Sequence, residues 1–510
     1  MSTKNVILLR AKDLVAVAVQ DVEAGETVNI TGAHSEQKTI LATEKIPMGH
    51  KIALNDYPFG THIIKYGLSI GITKKDVKRG QWIHSHNLAT GLRSTIEYSK
   101  PTAQPAWEEG ERLKKLALDP KVGLPKTFRG WRRKDGSVGI RNELWVIPVV
   151  GCINKGAENL AEFGRHELGV DAFCFTHPYG CSQLGDDLVN TKLVLSALAK
   201  HPNAGAVLVV SLGCENLRPE MFKQALGNYD PEKFRFLNMQ ESKDDIAEGR
   251  ALMTELATYL KAQKAEDIPI QELVIGLKCG GSDGFSGISA NPLVGKVTEL
   301  LVALGGSAVQ TEVPEMFGAE TELMARSCST EVFDAQVKMI NDFKNYFTSH
   351  GQEVYENPSP GNRDGGITTL EEKSLGCIRK SGSTPVNDVK PYATPRTVRG
   401  LTLLSGPGND IVSTTNLSAA GCHVILFTTG RGTPFGAPVP TLKIASNSPL
   451  AERKPAWIDY NAGVLLEGKS FDDAGIELLK LVIETANGKK TKAELSGNRD
   501  MAIFKDGVIL

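Results

Sequence analysis

Through residues 1–95 the apolar positions fall in short runs (VILLR, VAVAV, TVNI, KIAL, THIIKYG, QWIHSH) separated by turn signals such as MGH, NDYPFG and KRG. No stretch there spaces its apolar residues as a helix does, so the pattern predicts a small all-β unit. Residues 96–125 are rich in Pro and charge and read as a linker with one short helix. From residue 126 the period changes. The runs LWVIPVV, DAFCF, AVLVVSL and ELVIGL each end in a glycine-containing turn, and stretches such as DDLVNTKLVLSALAKH between them are amphipathic at helical spacing. Strands alternating with helices predict largely parallel sheets covered by helices, over 126–268 and again over 269–510. The expected fold is therefore multidomain α/β: a small N-terminal all-β domain followed by two α/β domains. Pro148 cannot donate to a ladder and is expected at a bend or a sheet edge. Asn291-Pro292 reads as the N-cap and first residue of a helix closed by Gly305-Gly306.

A chain of 510 residues exceeds one ordinary core, in keeping with several domains. A net charge of -1 supplies no field to gather nucleic acid or an anionic membrane, which leaves a small molecule as the expected partner. The first residues lack a signal-peptide pattern, and the longest apolar runs are strand-sized, so a cytoplasmic protein without membrane spans is expected. An exposed sheet edge would favour a homo-oligomer. Eight widely spaced cysteines do not form a disulfide framework and are read as thiols.

Four groups of residues could carry chemistry. His84 and His86 in QWIHSHN, two apart in a strand, point to the same face and could bind a divalent metal with His50 as third ligand; the alternative is two solvent-facing histidines at a strand end. Cys152, Cys181 and Cys214, with Cys279, follow strands at the edge where α/β sheets hold their sites; they are a rival metal set or buried filler. The loops CGGSDGFSG, SGPGND and TTGRGTPFG can cradle an oxyanion on backbone amides. Gly280, Gly281, Ser282 and Asp283 with Arg431 form a candidate carboxylate clamp, and SGPGND also reads as a plain turn. No P-loop or dinucleotide fingerprint is present, which weakens an oxidoreductase reading. Lys51, His177, Glu215, Asp283, Glu312, Glu315 and Lys373 are acid–base candidates if buried beside the site, and ordinary structural pairs otherwise.

Long ordered segments, among them GHKIAL, HSHN, DGSVGIRNELWVIPVVGC, YGCSQLGDD, LGCEN, CGGSDGFSGISANP, TEVPEMFGAE, NPSPGN and FTTGRGTPFG, resemble the altronate/galactarate dehydratase family over essentially the whole chain. HSHN and YGCSQLGDD fit its altronate branch, and Arg363 stands where the family carries Lys. The resemblance implies an SAF-type β domain, dependence on Fe2+ with Mn2+ as substitute, and dehydration of D-altronate to 2-dehydro-3-deoxy-D-gluconate. Such chemistry needs a metal, a carboxylate clamp and a base. The expected roles are His50, His84 and His86 as metal ligands, with Cys152, Cys181 and Cys214 as the rival set. Arg431 and the 280–283 backbone would hold the carboxylate, and Lys51 or His177 would act as base.

Overall fold

The short N-terminal runs pair into two sheets. A six-stranded one has the order Thr39–Leu41, Thr27–Gly32, Asn5–Leu8, Val15–Ala18, Lys51–Ala53, Trp82–Ile83; a three-stranded one joins His62–Lys65, Leu68–Thr73 and Leu88–Ala89. The computed structural model describes residues 4–33, 38–92, 98–100 and 107–507. Strand Val15–Ala18 is buried on both faces. Ala16 and Ala18 face one core of the β domain, while Val15 and Val17 face the other way, into the core that also takes in Ile63 and Ile70 of the three-stranded sheet and runs on into the C-terminal domain. The uninterrupted run VAVAV is thus an internal strand, packed against His62–Lys65, and covering its second face contributes roughly 1.5–3 kcal/mol per valine.

The linker helix Glu108–Leu118 lays Leu113 and Ala117 against helix Ala290–Ala303. Strand Thr127–Arg132 does not open a parallel sheet. It pairs antiparallel with Val138–Gly139 and with Glu266–Pro269, bracketing the middle domain. The middle domain is a parallel sheet of order Ala172–Cys174, Glu143–Pro148, Ala204–Ser211, Phe234–Asn238, covered by helices that include Asn154–His166 and Gly185–Lys200. Pro148 is the last residue of its strand and pairs only with Val210; the neighbour on the other side, Ala172–Cys174, pairs no further than Val146, so the missing donor falls at a locally open side.

The C-terminal domain holds a seven-stranded, all-parallel sheet of order Val386–Lys390, Gly400–Leu404, Ser307–Gln310, Val274–Cys279, Val424–Thr429, Thr441–Ala445, Tyr460–Asn461. Helix Ala290–Ala303 begins two residues earlier than the Asn-Pro signal suggests. Asn291 lies inside its first turn and spends its side chain on the Gly376 carbonyl and the Thr428 hydroxyl. Gly305, at φ +90°, follows its end as a C-terminal stop. From Val274–Cys279 the chain builds outward on one side, then returns to place Val424–Thr429 on the other. The loops leaving these two strands part there, which opens a crevice at the carboxyl edge. No helix among the described residues is long and apolar enough to cross a membrane.

Candidate functional site

That crevice is a cavity of about 790 Å3, walled by Cys279, Gly280 and Gly281, by Glu315 and Lys373, and by the start of helix Asp410–Ala419. Its floor is a buried ionic network. Lys278, the penultimate residue of its strand, is fully buried; its ammonium pairs closely with Glu312, lies 3.0 Å from Asp410 and donates to the Gly408 carbonyl at 2.9 Å. Glu312 also accepts from Lys380 at 2.7 Å and from the Cys279 amide at 3.2 Å. Lys373 pairs with Glu315 at 2.9 Å and donates to the side-chain oxygens of Asn357 and Asn362 at 2.9 and 3.2 Å. Glu312 adopts a left-handed backbone, φ +73°, a strain of roughly 1–3 kcal/mol that its charge-assisted bonds hold in place.

Three ammoniums (Lys278, Lys373, Lys380) face three carboxylates (Glu312, Glu315, Asp410), so the site balances only with its thiols protonated. Burial does push the Cys377 and Cys279 thiols up. Burial also opposes charge on Glu315, but Lys373, Lys278 and Lys380 outweigh it and hold its carboxyl at about 2. Burial works against Lys373 too, yet Glu315 keeps it above the ordinary lysine range.

Above the floor lies a wall of strand-tip loops and a helix start. The Gly281 carbonyl accepts from the amides of Gly430 and Arg431 at 3.0 and 3.1 Å. The amides of Gly281 and Ser282 have no protein partner among the described residues. Gly281 sits at φ +64°, a turn that suits glycine. The first turn of helix Asp410–Ala419 points at the same space, and Asn409 caps it through the Val412 amide. Arg431 does not line the cavity; it is exposed beside Gly281, its guanidinium unpaired among the described residues. Asp283 departs from the expected cradle. Its amide donates to the Ser286 hydroxyl, and its buried carboxylate accepts from Ser286, Ser446 and Asn447, so its polar atoms are spent joining its own loop to segment 446–447.

Among the described residues only Glu312, Glu315 and Cys377 bring three donor atoms within 4.8 Å of one another, and this trio is the candidate metal site. Two carboxylates and a soft sulfur suit a transition ion better than magnesium or calcium. The ammonium of Lys380 lies 2.7 Å from both a Glu312 oxygen and the Cys377 sulfur, so a metal ion held by this trio would have to displace it from those donors.

The expected histidines are arranged differently. The strand stops at Ile83, and His84–Asn87 form a turn closed by the Asn87 amide on the His84 carbonyl. Alternation therefore lapses, leaving His84 buried and His86 exposed against Trp82. His50 and His84 lie 5.0 Å apart between ring centres, but His50 accepts from the Trp82 indole and donates to the Asp364 carbonyl, which occupies both ring nitrogens. Lys51 is fully buried and donates to Gly366, Thr368 and Glu372 at 2.7, 2.9 and 2.8 Å. Burial lowers its pKa to about 8 against the pull of Glu372. His177 donates to the Pro148 carbonyl and accepts from the Tyr179 amide, so neither nitrogen is free. Neither Lys51 nor His177 lines the cavity. Cys152, Cys181 and Cys214 are exposed at the carboxyl edge of the middle sheet, and Arg363 lines a smaller cavity between the β domain and segment 353–370.

Lys278, Lys380, Cys377, Asn362 and Asp410 escaped the sequence reading as site residues. A lysine inside the apolar strand VIGLKC was the available signal, since a buried ammonium demands a partner. One eight-residue helix, Leu370–Cys377, joins the two regions. Its Glu372 receives Lys51 and Lys65 from the β domain, while Lys373 and Cys377 face Glu315.

Comparison with known proteins agrees along the whole chain. Residues 4–91 match the model of the altronate/galactarate dehydratase SAF domain, 130–261 that of the D-galactarate dehydratase/altronate hydrolase second domain, and 270–509 that of the D-galactarate/altronate dehydratase C-terminal domain. The chain is 47% identical to the altronate dehydratase of Bacillus subtilis over 99% of its own length and 100% of that protein's. It is 46% identical to the altronate dehydratase of Escherichia coli, covering 99% of each. Identity to the Escherichia coli galactarate dehydratase (L-threo-forming) is 33%, over 88% of this chain and 87% of that one.

Proposed function

Because this chain belongs to the altronate/galactarate dehydratase family, we propose that its C-terminal cavity dehydrates D-altronate to 2-dehydro-3-deoxy-D-gluconate. The lower identity to the galactarate enzyme favours the aldonate over the aldarate. The observation that carries the reading is the juxtaposition of unpaired amides, a helix N-terminus and the buried lysine–carboxylate floor in one crevice.

The hydrogen at C2 of an aldonate is a weak acid, because the neighbouring carboxylate is already negative. Its removal needs positive charge fixed where the second negative charge builds. The Gly281 and Ser282 amides and the first turn of helix Asp410–Ala419 receive the substrate carboxylate, with Arg431 closing from the rim. The carboxylate of Asp410, held by Lys278 beside that pocket, takes the C2 proton. The ammonium of Lys373, fixed by Glu315, Asn357 and Asn362, gives a proton to the departing C3 hydroxyl, which leaves as water. The enol then tautomerises to the 2-keto acid, and solvent restores the proton to Lys373 and removes it from Asp410. Glu312, Glu315 and Cys377 would hold the divalent ion that the family implies, Fe2+ or Mn2+, which supplies Lewis acidity for the C2 hydrogen.

The test is an anaerobic assay of the purified chain with ferrous iron, offering D-altronate and galactarate separately and measuring 2-keto-3-deoxy acid. Turnover of altronate at the higher kcat/KM is expected. Galactarate preferred would overturn the substrate, and no keto acid from either would overturn the reaction.

A further inference from the structure

The middle domain carries a second constellation at its own carboxyl edge. Cys152, Cys181 and Cys214 each follow a glycine, in the loops leaving the adjacent strands Glu143–Pro148, Ala172–Cys174 and Ala204–Ser211. These three are exposed, whereas the other five cysteines are buried or half-buried. An unpaired cysteine ordinarily packs as a small hydrophobe, so three solvent-facing thiols on one rim run against packing as their purpose.

The loops are fixed to one another. The Gly151 amide donates to the Tyr179 carbonyl at 2.7 Å, and the Asn216 amide to the Gly180 carbonyl at 3.0 Å. His177 staples the middle loop to the end of strand Glu143–Pro148, and Asn154 donates to the His177 carbonyl at 2.8 Å. Gly180, at φ +99°, lies so close to Val149 and Val150 that a side chain would collide with their backbone. The rim also holds polar atoms with no partner among the described residues. Glu215 is 2% exposed, and while one oxygen accepts from the Gly213 amide at 2.6 Å, the other is unsatisfied. The side-chain oxygens of Asn154 and Asn238 are also unsatisfied. In a native site such orphans point to a bound group. Helices Asn154–His166 and Gly185–Lys200 start just beyond Cys152 and Cys181, and their positive ends favour an anionic, thiolate-ligated group.

Spacing discriminates between candidates. One tetrahedral zinc, with bonds of about 2.3 Å to sulfur, draws its thiolates to within about 3.8 Å of one another. The three sulfurs here do not all lie within 4.8 Å of one another. A cubane cluster seats each thiolate on a separate iron and needs the wider spread. We infer that Cys152, Cys181 and Cys214 ligate an iron–sulfur cluster of the cubane type, one iron of which takes no cysteine from this trio. The site is separate from the cavity proposed for dehydration and does not rest on that reading.

The experiment uses the full chain, purified without oxygen, incubated with ferrous iron and sulfide under reductant, then desalted. Wild type is expected to retain about four iron and four acid-labile sulfide per chain, with broad visible absorption and a paramagnetic signal on mild oxidation. The variants C152S, C181S and C214S are expected to lose the sulfide and the signal, while C328S keeps both and all four retain the wild-type circular dichroism. Wild type that takes up no sulfide overturns the proposal whatever the variants do. So does wild type that prefers a single zinc per chain, or serine variants that keep the full cluster signal.

Discussion

Two parallel sheets in one chain present their carboxyl edges to chemistry in opposite ways. At the seven-stranded edge every charged side chain of the floor already has a partner: Lys278, Lys373 and Lys380 are buried against Glu312, Glu315 and Asp410. At the four-stranded edge the reactive groups are exposed thiols, and the buried oxygens beside them lack partners. The same architecture therefore fixes where a site forms but not what it holds. On the readings proposed above, the finished ion-pair network would serve as a preorganised field for a substrate that comes and goes, and the unsatisfied rim as half of a coordination sphere. The contrast can be broken from either side, and the largest effects belong to the paired edge.

Lys373→Met removes the ammonium assigned to the C3 hydroxyl, and Asp410→Asn the carboxylate assigned to the C2 proton. Each is expected to lower kcat by about 100- to 10,000-fold, the usual worth of a positioned acid or base. Keto-acid formation is the readout, with circular dichroism confirming the fold. Retention of kcat within twofold in either variant would remove that residue from the chemistry.

The next largest effect lies where the β domain meets the cavity. Glu372 is the shared partner of Lys51 and Lys65, and all three side chains are almost fully buried. Glu372→Gln leaves two buried ammoniums facing a neutral amide, which is expected to destabilise the chain by about 3–5 kcal/mol. Denaturant unfolding should show the loss in the transition that includes the β domain. Acid probes the same contrast more gently. Burial raises the Glu372 carboxyl, but Lys51 and Lys65 outweigh it and hold it at about 2; Glu315 is held there by its lysines. Both lie below the ordinary glutamate value of about 4.5, so the unfolded chain takes up these protons first as pH falls. The stability they contribute is complete above about 4.5 and is lost progressively toward about 2. Urea midpoints measured across that window should fall with pH in wild type and less steeply in the Glu372→Gln chain. Equal slopes would show that Glu372 does not set the acid limb.

The sequence disclosed the architecture because periodicity is a local property. The change from short β-rich runs to strand–helix alternation near residue 126 marks the all-β domain off from the parallel sheets that follow. It disclosed the site only in part. CGGSDG and the TTGRG loop carry their glycines where amides must approach a ligand, and Glu312, Glu315 and Lys373 stood among the candidates. Lys380 and Cys377 were hidden because their roles depend on segments far apart in sequence: Lys380 reaches Glu312 across 68 residues. Asp410 was hidden in a turn, SGPGND, whose glycines explain themselves without chemistry. The HSH motif could not be placed from the sequence for a local reason, since a strand that ends at Ile83 leaves one buried and one exposed histidine in place of a shared face.

The smallest expected effect is at the rim. Arg431 follows the strand on the far side of the crevice, its backbone amide bonded to the Gly281 carbonyl and its side chain exposed and unpaired among the described residues. A guanidinium there reaches the substrate carboxylate only once the sugar acid is bound, and it shares that carboxylate with the Gly281 and Ser282 amides. Because the carboxylate keeps its charge from the ground state into the transition state, the contact strengthens both alike. Arg431→Ala should therefore raise KM for D-altronate by about tenfold, roughly 1.4 kcal/mol, while kcat stays within about twofold. Arg431→Lys should recover only part of the loss, since an ammonium cannot make the paired contact of a guanidinium. A fall in kcat with unchanged KM would instead place Arg431 where charge develops during the reaction, and the carboxylate would then belong to the helix and strand-tip amides alone.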